Sequence, residues 1–154
     1  MSRNLEEARR WLSQAQYDLQ AARVNEQNSI YAWACFLCQQ AAEKALKAFL
    51  YAQGQGPVIG HSGFRLAQEC ASFDPEFDTI VRACKTLDSY YIPTRYPNGL
   101  PGGIPHEVYD EVDAAEALEA AHAVMSLVVA KIPTAASASD ETAAPEENDS
   151  SSDS

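Results

Sequence analysis

The chain has 154 residues, 22 of them acidic and 11 basic, for a formal net charge of −11. Hydrophobic residues make up 46% and charged residues 21%, which excludes a wholly disordered chain. Six of the acids and none of the bases lie beyond Pro133, so the remaining 16 acids face 11 bases. That mild acidic excess leaves no broad basic surface for duplex DNA.

No apolar run approaches the ~18 residues a membrane span needs. Arg3, Glu6, Glu7, Arg9 and Arg10 stand where an export signal would be apolar, so the expected compartment is the cytoplasm. Cys35, Cys38, Cys70 and Cys84 are then expected as reduced thiols. Cys35 and Cys38 form a C-x-x-C inside a helical pattern, with neither a second ligand pair for zinc nor a strand before them for a redox turn. Small buried thiols, and no metal, are the reading.

Leu5, Ala8, Leu12, Ala15, Leu19 and Ala22 recur at steps of three and four, which predicts a first helix stopping near Arg23, where Asn25 and Asn28 break the pattern. Ser2 or Asn4 is its expected cap. A second helix is predicted over residues 28–53, with an apolar face wide enough for a central bundle helix or a dimer seam. Its polar remainder, Gln39, Gln40, Glu43, Lys44 and Lys47, forms a narrow strip. A short third helix fits residues 62–72, capped by Ser62. A fourth opens at Pro75 after Asp74 and carries Phe77, Ile80, Val81, Cys84, Leu87 and Tyr91. Pro93, Pro97, Pro101 and Pro105 then recur every four residues, predicting an ordered, irregular loop to His106. The fifth helix should run from about Tyr109 to Lys131, with Val112, Ala115, Leu118, His122, Met125 and Val129 as its stripe. Residues 1–132 thus read as one all-α bundle of about five helices. Residues 133–154 read as a disordered acidic tail, because they hold no aromatic and no branched aliphatic side chain.

The first helix around Ala8-Arg9-Arg10-Trp11-Leu12 and the Asp18-Leu19 pair precedes the run Cys35-Phe36-Leu37-Cys38-Gln39-Gln40-Ala41-Ala42-Glu43-Lys44-Ala45-Leu46-Lys47-Ala48. His61 precedes the third helix and Thr94-Arg95-Tyr96-Pro97 follows the fourth. Together these resemble the HEPN family (higher eukaryotes and prokaryotes nucleotide-binding), in particular the branch resembling the C-terminal domain of sacsin. The resemblance implies an all-α, up-and-down helical bundle with a short additional helix, commonly dimeric, and two functional classes. One is a nucleotide-binding or interaction module that forms a homodimer and works with a small nucleotidyltransferase, as in toxin–antitoxin-like pairs. The other is a metal-independent ribonuclease, in which an Arg and a His four to six residues apart act on the phosphodiester. Here ten residues separate Arg95 from His106, and His61 and Arg65 stand in the reverse order. The resemblance therefore implies binding of a nucleotide, or of RNA, ahead of cleavage, with no cofactor, and names no catalytic residue.

Arg95 and Tyr96 are the leading site candidates, since a rigid loop holding a guanidinium beside Tyr90, Tyr91, Tyr96 and Tyr109 suits phosphate pairing and base stacking. The competing reading ties Arg95 to Asp88 or Asp113. Lys44 and Lys47 are further nucleotide candidates, although Glu43 and Lys47 also make an ordinary i,i+4 pair on a solvated strip. His61 is expected to pack against or cap the third helix, and His122 to lie in the core. Trp11 and Trp33 read as core or interface anchors, and Asp18 as partly buried with a partner.

Overall fold

A helix with Leu and Ala at three- and four-residue steps needs a second element to cover its apolar face. In the computed structural model, which describes residues 3–133, the cover comes from the next helix: α1, Arg3–Gln27, packs along α2, Tyr31–Ala52. Ala8, Leu12, Ala15, Leu19 and Ala22 are buried on that seam. α1 runs past the stop expected near Arg23. Asn25 and Asn28 do not break it there, because their amides donate to the Ala21 and Val24 carbonyls one turn back. Ser29, at a φ of 61°, makes the turn, and α2 begins at Tyr31 instead of near Asn28. Asn4 already lies inside α1, and Ser2 lies outside the described residues.

The chain continues through α3, Gly63–Phe73, a 3₁₀ turn, Pro75–Ile80, and α4, Val81–Asp88. A second 3₁₀ turn, Pro97–Gly99, a one-turn α5, Pro105–Val108, and α6, Glu111–Lys131, complete it. α2 is the central element, in contact with α1, α3, α4 and α6. Ala34, Ala41, Ala45 and Ala48 are fully buried there, and such small side chains let helix backbones approach closely. The wide apolar face of α2 is thus occupied within the chain; a dimer seam is not needed to explain it.

Asp74 caps the segment that follows α3, as expected, but the first turn after Pro75 is 3₁₀ and α4 starts only at Val81. Phe77 and Ile80 are both buried, and a 3₁₀ turn places residues three apart on one side. Phe77 packs its ring 4.3 Å from that of Phe49 on α2. Within the proline loop, Pro97 and Pro105 each open a helical turn, a position where the missing N–H is harmless. The loop closes on itself at Gly99, where a Cβ would stand 3.0 Å from Pro93 Cα.

α6 starts at Glu111 behind Asp110, whose carboxylate accepts from the Asp113 N–H while Asp113 accepts from the Asp110 N–H. Its buried face is Ala114, Ala117, Ala121, Val124, Met125, Leu127 and Val128. The expected stripe is corrected accordingly: Met125 is buried and Leu118 packs partly buried against the core, but Val112 is 72% exposed and Ala115, His122 and Val129 face outward. Alanines fill both sides of α6, so sequence periodicity gives little contrast there. Among the described residues there is no strand, and no helix is long and apolar enough to cross a membrane. The expected acidic tail, apart from Pro133, lies outside the described residues.

Candidate functional site

The turn after α4 sets the position of Arg95. The Thr94 hydroxyl donates to the Tyr90 carbonyl, and Arg95 Nε donates to the Tyr91 carbonyl at 2.8 Å. These two consecutive side chains fold back on the turn that follows α4 and fix the guanidinium. Its carbon lies 4.5 Å from the Phe36 ring centre, 4.6 Å from that of Tyr91 and 5.3 Å from that of Tyr96. Cations gain from such aromatic faces. Among the described residues no carboxylate pairs with Arg95.

The expected tie to Asp88 or Asp113 is corrected, since both acids are engaged elsewhere. Asp88 accepts from the Ser62 hydroxyl at 2.8 Å and from the Gly63 and Phe64 N–H groups at 2.7 and 3.2 Å. Asp113 closes the α6 capping box. Ser62 also caps α3 through its oxygen, as the sequence suggests.

Lys44 and Lys47 have different surroundings. The Lys44 ammonium lies 2.6 Å from Asp18, a buried carboxylate that also accepts from Gln14. The partner expected for Asp18 is therefore Lys44. Lys47 and Glu43 are 3.6 Å apart, with side chains only 6% and 4% exposed. Their strip is not solvated, which corrects the surface reading of this pair. Lys47 also lies 5.5 Å from the Trp11 ring centre, and Trp11 stacks on Tyr51.

His61 does not cap α3, a role taken by Ser62. Its Nδ1 lies 3.0 Å from Glu43 Oε1, its carbonyl accepts from Gln39, and its ring stacks on Tyr91 at 5.1 Å. The side chain nevertheless remains 59% exposed. Sequence reasoning missed this arrangement, because Glu43 and Tyr91 lie far from His61 along the chain.

Two hollows flank these groups. One, about 440 Å³, is lined by Ile30, Trp33, Arg95, Pro97, Ile104 and His106 among others. The proline loop thus brings Arg95 and His106 to one hollow despite the ten residues between them. The other is an open cleft of about 900 Å³ beside α1, where Arg9, Arg10, Trp11, Tyr17 and Lys44 stand. Arg95 and Lys44 therefore line separate depressions. Tyr96 and Trp33 are each half-exposed near Arg95. Burial pushes the Cys35 and Cys84 thiols up to about 12, and those of Cys38 and Cys70 higher still. Among the described residues no group of three His, Cys, Asp or Glu is placed to hold a metal.

A family profile for the HEPN domain matches residues 8–132, nearly all of the described bundle. The chain belongs to the HEPN family. Human sacsin is 31% identical over 117 residues, which are 73% of this chain but 3% of sacsin. Among solved structures, TT1696 from Thermus thermophilus is 42% identical, with a TM-score of 0.73 over 81% of this chain and 98% of that one. ST0689, an archaeal HEPN homologue, is 37% identical, with a TM-score of 0.69 over 82% of this chain and 98% of its own. A HEPN domain protein of Thermotoga maritima, tm0613, is 26% identical, with a TM-score of 0.63 over 79% and 96% of the two chains. The HEPN bundle therefore spans almost the whole of these solved chains and only a small part of sacsin.

Proposed function

We propose that this HEPN protein is a nucleotide-binding module whose phosphate anchor is Arg95, with Tyr96 as a stacking face. The observation that carries the reading is the guanidinium itself: it is fixed by one N–H, laid on three aromatic rings, and has no carboxylate partner among the described residues. A guanidinium fork pairs two phosphate oxygens at once, which an ammonium cannot reproduce. Lys44 and Lys47 contribute less, because Asp18 and Glu43 already hold their charges. The half-exposed Trp33 and Tyr96, with Ile92 and Ile104 nearby in the chain, give the same face apolar area for a second copy. A homodimer built there, working with a nucleotidyltransferase-type partner that supplies any transfer chemistry, completes the proposal.

Calorimetric titration of the four ribonucleoside triphosphates tests the anchor. Arg95→Lys should weaken binding measurably, and Arg95→Ala should cost about 1.5–3 kcal/mol, the range for a hydrogen bond to a charged group. Absence of binding by the parent protein contradicts the reading. Light scattering tests the dimer, whose interface would bury on the order of 1,200–2,000 Å².

The shared hollow of Arg95 and His106 favours a second reading, a metal-independent ribonuclease. There His106 would take the proton of the 2′-hydroxyl as its oxygen bonds to phosphorus, Arg95 would neutralise the phosphorane, and the P–O5′ bond would break to leave a 2′,3′-cyclic phosphate and a 5′-hydroxyl that takes its proton back from His106 or from water. Under the first reading RNA incubated with the protein and a chelator stays intact. Cleavage that disappears with His106→Ala would establish the second.

A further inference from the structure

Tyr91 is shared by two side chains from distant parts of the chain, Arg95 and His61. Arg95 lies over its ring at 4.6 Å, and the His61 ring stacks on it at 5.1 Å with the planes 20° apart. Behind His61 is Glu43, buried on α2, which takes one imidazole nitrogen at 3.0 Å and is itself balanced by Lys47 at 3.6 Å. The loop carrying His61 is held at both ends. The Tyr51 hydroxyl accepts from the Val58 N–H, and Gln39 donates to the His61 carbonyl. A carboxylate bound to one ring nitrogen fixes the orientation of the ring and leaves the other nitrogen to meet a ligand. The other nitrogen, Nε2, belongs to a side chain that stays 59% exposed.

We infer that His61, oriented by Glu43, is a second phosphate-binding arm of the Arg95 site and makes nucleotide binding proton-linked. The inference rests on the nucleotide reading and adds to it a residue, a protonation state and a ligand portion, the phosphate chain. While Glu43 accepts from Nδ1, a neutral ring presents an acceptor at Nε2, which repels phosphate oxygens. The protonated ring presents a donor. The groups in contact with His61 are Glu43 from α2 and Tyr91 from the loop after α4; Lys47 lies behind Glu43, Arg95 lies over the same Tyr91 ring, and Asp88 at the end of α4 holds the neighbouring residues 62–64. Asp88 is already bound to Ser62, Gly63 and Phe64, and Glu43 is shared with Lys47, so Arg95 and a protonated His61 leave the Tyr91 surface positive.

The test uses the full chain, the ribonucleoside triphosphate that binds best, and the matching nucleoside, titrated at pH 6 and pH 8. His61→Phe keeps a flat ring for Tyr91 and removes the charge. His61→Gln keeps a hydrogen-bonding group for Glu43 and also removes the charge. For the parent, triphosphate binding should tighten toward pH 6, and both variants should lose about tenfold in affinity at pH 6 and much less at pH 8. Nucleoside binding should not change with either variant. The pH dependence of the triphosphate itself is common to all three proteins and cancels in the comparison. Variants that keep the parent's affinity and pH slope overturn the inference while leaving the Arg95 reading standing. A purely structural tie would lower the melting temperature without moving that slope, and this too counts against the inference. Loss of the Arg95 dependence, or no triphosphate binding by the parent, overturns the underlying reading and the inference with it.

Discussion

The cations of α2 and the cation of the proline loop are chemically alike and structurally opposed. Lys44 and Lys47 meet carboxylates supplied by their own bundle, Asp18 from α1 and Glu43 from one turn earlier. Arg95 meets aromatic faces and a backbone carbonyl, which orient it without neutralising it. A buried charge must be paired, so the bundle consumes its lysines for folding. A guanidinium on a loop can be held by packing alone and keep its charge for a ligand. Possessing a cation is therefore a poor guide to a phosphate site; lacking an acid partner is a better one.

The largest expected effect breaks the closed side of this contrast. Glu43→Ala strands Lys47 in the core and removes the partner of His61, and should cost about 3–5 kcal/mol in chemical denaturation. A cost under 1 kcal/mol would mean that the lysine finds water and that the pair is not an internal one. Asp88→Ala comes next. It leaves the Ser62 hydroxyl and two N–H groups at the start of α3 without their acceptor, for an expected loss of about 1–2 kcal/mol. Hydrogen exchange should show that loss first in the opening turn of α3.

The smallest effect concerns Lys131, which lies 2.8 Å from Asp74 and 3.1 Å from Glu76. Lys131 and the Glu76 N–H hold the Asp74 carboxyl below its ordinary range, and the two acids raise the Lys131 ammonium. A lowered acid stabilises the fold at neutral pH and loses that effect as pH falls through its own titration. Lysine's contribution is lost only as pH rises through its raised value. Asp74→Asn should therefore melt slightly below the parent at pH 7 and match it in strong acid. An unchanged difference across that range would show that the cap of the 3₁₀ turn, and not the ion pair, accounts for it.

Much of the bundle was legible because Leu and Ala at helical steps mark a buried face whatever covers it. The α1 seam and the Ser62 and Asp74 caps follow directly from residue type. The α6 stripe did not, since Ala114, Ala117 and Ala121 differ little from the exposed Ala115 and Ala130 beside them. Glu43 and Lys47 show the same limit for charge: an i,i+4 pair reads alike in water and in a core. Arg95 was legible as a candidate from its proline-bounded motif, but its aromatic bed includes Phe36, far away on α2. The Glu43–His61–Tyr91 stack has no local signal, being assembled from three elements that only the fold brings together.

The central claim is that Arg95 has a charge free for phosphate while Lys44 does not. Lys44→Gln and Arg95→Gln, each followed by triphosphate calorimetry and thermal melting, test it most directly. Lys44→Gln should lower the melting temperature, because Asp18 loses its cation, and leave affinity near that of the parent. Arg95→Gln should melt close to the parent and bind at least tenfold more weakly. The opposite pattern, binding lost with Lys44 and kept without Arg95, would contradict the account.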